Sequence, residues 1–147
     1  MNRFLAGAIC ALLLANPLSA GAQAATQPPL PGVAEAVEAG VIVQDASEVR
    51  LDDFLWQKRV VAVFADNPHD PNLAVQIRHF AEDPEGLARR DMIVIVDADP
   101  AAKSEPRSRL RPRGFALIVV DLDGTVRLRR PLPWDMRELG RAIDRIR

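Results

Sequence analysis

The stretch Arg59-Val-Val-Ala-Val-Phe-Ala65, Asp66-Asn-Pro-His-Asp70, Pro71-Asn-Leu-Ala-Val-Gln-Ile-Arg-His-Phe80 decides the fold. Its first part is an unbroken apolar run of strand length, rich in β-branched residues. A run of that kind suits a central strand buried on both faces, since a half-solvated strand would alternate. Its last part predicts a helix. Asp70 is an N-cap residue, whose carboxylate accepts from the orphan amides of a first turn, and Pro71 fits the first helical position, where no N–H is needed. Leu73, Ile77 and Phe80 fall on one face of that helix and mark its buried side. The five residues between strand and helix sit where the loop at a strand's carboxyl end carries chemistry in many α/β folds. In this chain the loop holds no cysteine, serine, threonine, lysine or glycine-rich run.

The same pattern repeats on both sides. Asp91-Met-Ile-Val-Ile-Val-Asp97 and Gly114-Phe-Ala-Leu-Ile-Val-Val-Asp121 are two further buried-strand runs. Asp123-Gly124 is a strong hairpin dipeptide, because both residues tolerate positive φ. Thr125 to Arg130 then alternates polar and apolar, as a half-buried edge strand does. Upstream, Val41-Ile42-Val43 predicts a short first strand, and Val33 to Ala39 a short helix ending at Gly40. Ser47 is a candidate cap for a helix in which Leu51, Phe54 and Leu55 share a face, closed by Trp56. Asp83-Pro84 restarts a helix that turns Leu87 inward, and Ser104 to Arg111 predicts one or two helical turns bounded by Pro106 and Pro112. Asp135 with Glu138 forms a capping box for the last helix, with Trp134 and Leu139 placed as a hydrophobic staple. Leu139, Ile143 and Ile146 supply that helix's apolar face. The order is β-α-β-α-β-α-β-β-α, an α/β chain with a mixed sheet covered by helices.

At 147 residues the chain has the length of one domain with a core of its own. Its beginning reads differently from the rest. Met1 to Arg3 is a short positive n-region, Phe4 to Leu14 is an apolar stretch of eleven residues, and Ala22-Gln23-Ala24 is a small-x-small cleavage signal. Together they predict a secretory signal peptide over residues 1–24, removed after Ala24 or, as second choice, Ala22. The apolar stretch is too short for a bilayer span, which needs about 20 residues. No stable membrane anchor is therefore expected after cleavage, and a periplasmic location is expected in a bacterium with two membranes. Residues 25–40, with Pro28, Pro29 and Pro31, read as a linker with a possible short helix, leaving 41–147 as the domain.

The one cysteine, Cys10, lies inside the signal, so residues 25–147 hold no thiol. Thiol redox chemistry needs a thiolate and is excluded for that segment. Charge is uneven: residues 25–103 carry 7 basic and 14 acidic side chains, a net of −7, and residues 104–147 carry 11 and 6, a net of +5. No tyrosine is present and aromatics are 5% of the chain, which argues against a base-stacking surface and a nucleic-acid partner.

The element order is that of the thioredoxin fold. More narrowly, Leu51-Asp-Asp-Phe-Leu-Trp-Gln-Lys-Arg-Val-Val-Ala-Val-Phe-Ala65, Arg90-Asp91 before the next strand and Gly114-Phe115 opening the hairpin resemble a family of bacterial exported proteins known as domain of unknown function 4174. The resemblance implies the fold and export. It implies no oxidoreductase activity. The paired cysteines of thioredoxins would fall within Asp66 to Asp70, and their cis-proline near Arg113-Gly114, where no proline stands. It brings no catalytic residues, metal ligands or cofactor with it.

Three motifs carry candidate chemistry. Ile118-Val-Val-Asp-Leu-Asp-Gly-Thr-Val126 resembles the first motif of haloacid-dehalogenase-type phosphatases, with Asp121 as nucleophile, Asp123 as general acid and Thr125 on phosphate, around magnesium. Only 22 residues follow Thr125 and none is lysine, so the partner residues of that chemistry are missing and a plain hairpin turn is the competing reading. His69 with Asp70 forms a candidate acid/base or metal pair, weighed against solvated loop residues with Asp70 as a cap. Arg107, Arg109, Arg111 and Arg113 alternate: an extended segment would point all four to one side to grip an anion, whereas a helix would scatter them into solvent. Trp56 and Trp134 are expected as partly buried packing residues. The leading expectation is a non-redox binding module of the cell envelope, with a protein or small ligand as partner. Its surface is Asn67, His69 and Asp70, with Arg113 and Gly114 opposite. The alternative is a small magnesium-dependent phosphatase using Asp121 to Thr125.

Overall fold

The computed structural model of the chain describes residues 30–145. The segment expected as a signal peptide, its expected cleavage site and Ile146 lie outside them. The elements are α1 (Val33–Glu38), β1 (Val43–Asp45), β2 (Arg59–Phe64), α2 (Pro71–Glu82), α3 (Pro84–Ala88), β3 (Met92–Asp97), α4 (Glu105–Leu110), β4 (Ala116–Val120), β5 (Val126–Arg130) and α5 (Met136–Asp144). They build a five-stranded sheet in the order β1-β3-β2-β4-β5. β3 runs parallel to both β1 and β2, and β4 runs antiparallel to both β2 and β5. This is the helix-covered mixed sheet of a thioredoxin-like fold.

β2 lies at the centre, as its apolar run requires. Val61 pairs with Val94 on one side and Val119 on the other. Because side chains alternate across a strand, β2 feeds two cores. Val61 and Val63, with Leu117 and Val119, pack under Leu73, Ile77 and Phe80 of α2 and Leu139 and Ile143 of α5. Val60, Ala62 and Phe64, with Ile95 and Ile118, pack under Leu51 and Leu110 on the opposite side. Each fully buried Leu, Ile or Phe contributes about 1.5–3 kcal/mol, so these two layers supply the main driving force for the fold. Ala36 is also fully buried, which makes α1 part of the packed body.

The helix starts follow local side-chain chemistry. Asp70 accepts from the Asn72 amide at 2.8 Å and Asp135 from the Glu138 amide at 2.8 Å, and Pro71 and Pro84 occupy first turns.

Three local expectations are corrected. β1 begins at Val43, not Val41, because the Val41 amide is taken by the Ala36 carbonyl at the end of α1 and sheet pairing starts beyond it. The helix expected from Ser47 is instead two 3-10 turns, Ala46–Glu48 and Leu51–Phe54, separated by extended backbone. Ser47 does not cap; its amide and hydroxyl both donate to Asp45, which is the cap. Trp56 does not pack: it is 75% exposed, with φ +60. Its amide donates to the Leu122 carbonyl at 2.8 Å, and the reversal this makes before β2 turns the ring outward. Trp134 is partly buried against the core, as expected, with Arg130 stacked 4.3 Å from its ring centre.

Candidate functional site

The three parallel strands end together, and each end carries an aspartate: Asp45 on β1, Asp66 just after β2 and Asp97 on β3. Between them and the segment from Asp99 to Ser104 opens a cleft of about 320 Å³, with Asn67 and Pro68 on its rim. Its rear wall is a buried network. Arg107 donates to the Asp97 carboxylate at 2.9 Å, to the Ala65 carbonyl at 2.7 Å and to the Asp97 carbonyl at 3.2 Å. The Ser104 hydroxyl donates to the other Asp97 oxygen. The guanidinium lies 5.5 Å from the centre of the Phe64 ring. Side-chain exposure is 13% for Arg107 and 4% for Asp97, so this ion pair is essentially dry. It fastens the carbonyl just after β2 to the last carbonyl of β3 and thereby fixes where the Asp66 to Asp70 loop begins.

Within the cleft the carboxylates differ in availability. Asp45 is held by Ser47, and Asp99 accepts from the Ala101 amide at 2.9 Å. Asp66 is 62% exposed and its nearest cationic nitrogen, on Arg107, is 4.0 Å away. A ligand entering the cleft therefore meets Asp66 first, with the carboxylates of Asp45 and Asp99 also in the lining.

The five surface residues expected from sequence do not form one patch. Asn67 lines the cleft, and its side-chain oxygen accepts from the His69 amide at 2.9 Å. His69 is exposed on the loop. Asp70 is occupied as the cap of α2. Gly114 is beside the loop: with φ +59, a Cβ built there would stand 3.9 Å from the Asp66 carboxylate. Arg113, although next to Gly114 in the chain, does not line the cleft. It lines a second groove with Arg111, Arg129 and Arg130.

The Asp121 to Thr125 motif is the β4–β5 turn, with Gly124 at φ +79. One Asp121 oxygen accepts from Arg59 at 2.8 Å and from the Leu122 amide at 2.9 Å; the other accepts from Arg127 at 3.0 Å. Burial alone would raise the pKa of Asp121. The Leu122 amide and the two arginines outweigh it and hold the carboxyl below the usual carboxylate range. Asp123 accepts from the Thr125 amide at 2.9 Å. Both aspartates are thus engaged in building the turn.

The alternating arginines also resolve differently from either expectation. The segment is helical over Glu105–Leu110, yet Arg107 is not solvated but buried at the cleft wall. Arg109 pairs with Asp52 and Glu105 on the surface. Two buried polar features escaped the sequence reading. One is the Asp97–Arg107–Ser104 network, whose only sequence signal was an aspartate closing an apolar run. The other is Gln76, fully buried in α2, which donates to the Trp134 carbonyl at 3.0 Å and accepts from the Trp134 amide at 2.8 Å. That reciprocal pair anchors the approach to α5.

The fold is similar to that of the 2-Cys peroxiredoxin of Plasmodium vivax in its reduced form. The TM-score is 0.51 at 14% identity, over 65% of this chain and 81% of that one. No curated protein matches the chain in sequence. Residues 50–147, from the Leu51 turn through the central strand, the cleft wall, the hairpin and α5, match the family described as Domain of unknown function (DUF4174), and the chain belongs to that family.

Proposed function

We propose that the protein is an exported, non-redox thioredoxin-like binding module whose ligand presents a cationic group to the cleft at the carboxyl ends of β1, β2 and β3. The observation that carries this reading is Asp66: an exposed carboxylate at the mouth of an acidic cleft whose other polar groups are already committed to hydrogen bonds. The cleft falls within the size range of small-ligand sites, about 300–1,000 Å³. Residues 25–147 lack the thiol that redox chemistry requires, so the position supports recognition rather than electron transfer. Export to the periplasm rests on the charged n-region, the apolar stretch Phe4 to Leu14 and the Ala22-Gln-Ala24 signal.

Titration of a trilysine peptide into the purified protein tests the cleft. Binding is expected to weaken as salt rises and to fall about tenfold in Asp66→Asn, the loss of one charge-assisted contact. Equal affinity in wild type and Asp66→Asn would remove the cleft as the seat of binding. Fractionation with N-terminal sequencing tests export; a cytoplasmic product that retains Met1 and Cys10 would overturn it.

A further inference from the structure

The groove on the far side of Gly114 has the opposite charge. Arg111 and Arg113 come from the α4–β4 connection, Arg129 and Arg130 from the end of β5, and Phe115 and Pro131 give the groove an apolar lining. Its volume is about 370 Å³, and no carboxylate lines it. Two of the four arginines are fixed by the fold: Arg129 donates to the Leu110 carbonyl at 2.8 Å, and Arg130 stacks on Trp134. The side chains of the other two are exposed and take part in no hydrogen bond or ion pair among the described residues. Arg111 is held at φ +48, a left-handed conformation that costs a non-glycine residue energy and that often marks functional positions.

Holding four like charges together is unfavourable in the empty groove and becomes favourable once an anion enters. A single carboxylate would balance one of them. Phosphate carries up to two charges and three strong acceptor oxygens, and guanidinium forks match it in bidentate geometry. A long polyanion is a poorer fit, because residues 30–103, which carry a net charge of −7, belong to the same folded body and repel it. We propose that this groove binds a compact ligand with more than one phosphate group, its oxygens accepting from Arg111 and Arg113 while Arg129 and Arg130 form the fixed wall. The site is independent of the acidic cleft and of the cationic ligand proposed there.

Inorganic pyrophosphate titrated calorimetrically into the purified protein is the test. Wild type is expected to bind, more weakly as ionic strength rises. The Arg111→Gln/Arg113→Gln double variant removes no structural contact and is expected to lose about tenfold or more in affinity. Arg89→Gln, which removes an exposed charge at the end of α3, outside the groove, is expected to bind as wild type does. No binding by wild type, or equal losses in the double variant and Arg89→Gln, would overturn the proposal. Vesicles containing phosphatidylglycerol separate the two sources of such phosphate. Vesicle binding displaced by pyrophosphate assigns the groove to lipid headgroups, and pyrophosphate binding without vesicle binding assigns it to free phosphorylated compounds. Vesicle binding that pyrophosphate does not displace would place the phosphate contact outside the groove and overturn the proposal.

Discussion

Two aspartates close the ends of the sheet, and the difference between them is water. Asp97 ends the run Ile-Val-Asp on β3, and Asp121 follows the run Val-Val-Asp after β4. Each is gripped by an arginine that also fastens an end of β2: Arg107 holds the Ala65 carbonyl after its last residue, and Arg59 is its first. The Asp97–Arg107 pair is 4% and 13% exposed, whereas Asp121 is 18% exposed and shares itself between Arg59 and the more open Arg127. A dry pair cannot lose one member without leaving a bare charge in the interior, and a wetter pair can admit solvent in its place. The same local sequence therefore makes a rigid wall at the cleft and a tolerant brace at the hairpin.

The largest expected effect tests the dry end. Arg107→Ala strands Asp97 and should cost about 3–5 kcal/mol in a urea titration. Phe64→Ala, under the same guanidinium, should cost a similar amount, about 3–5 kcal/mol, from the cavity it leaves. Adding Asp97→Asn to Arg107→Ala should recover part of the loss, because the stranded charge disappears. If the double variant were no more stable than Arg107→Ala, the bare charge would not be the cause.

At the wetter end, Asp121→Asn should cost about 1–3 kcal/mol, since two arginines and an amide lose part of their acceptor. It should rank below Arg107→Ala. The sign of its pH dependence follows from a folded pKa held below the unfolded value of about 3.9. The stabilisation is complete above that unfolded value and is lost as pH falls through the lower folded value. Wild type should therefore lose stability in acid by more than Asp121→Asn does. Parallel acid titrations of the two would refute the brace. Asp135→Ala, which removes a half-buried helix cap in no ion pair among the described residues, should cost less still, about 0.5–2 kcal/mol.

What the sequence revealed, and what it hid, follows the same division between local and distant causes. β2, β3 and β4 were legible because burial on both faces leaves continuous apolar runs. Asp70 and Asp135 were legible because a cap acts within three residues of itself. The turns over 46–54 were misread as a helix because their partners are remote. The Leu51 amide donates to Glu105 at 3.0 Å, and Trp56 is held by Leu122. Neither sequence reading of Arg107 buries it, because its acceptors, Ala65 and Asp97, are 42 and 10 residues away. Of the expected surface, Asn67 lines the acidic cleft and Arg113 the arginine groove. The direction of Arg113 depends on the left-handed residues Arg111 and Gly114 on either side of it.

The smallest expected effect bears on chemistry at the hairpin. Magnesium should leave the unfolding midpoint of wild type unchanged, and reductant should do the same because a single cysteine closes no intrachain disulfide. The reason for the first is competition: Asp121 already accepts from two guanidinium groups and one amide. A divalent cation would have to displace positive partners that fold the turn. If magnesium raised the midpoint of wild type but not of Asp121→Asn, the aspartate would be organising a cation site and not a brace. A phosphatase assay with magnesium completes the test: turnover abolished by Asp121→Asn would give the hairpin the chemistry that its sequence resembles. Without turnover, Asp121 is left with the structural role that Arg59 and Arg127 give it.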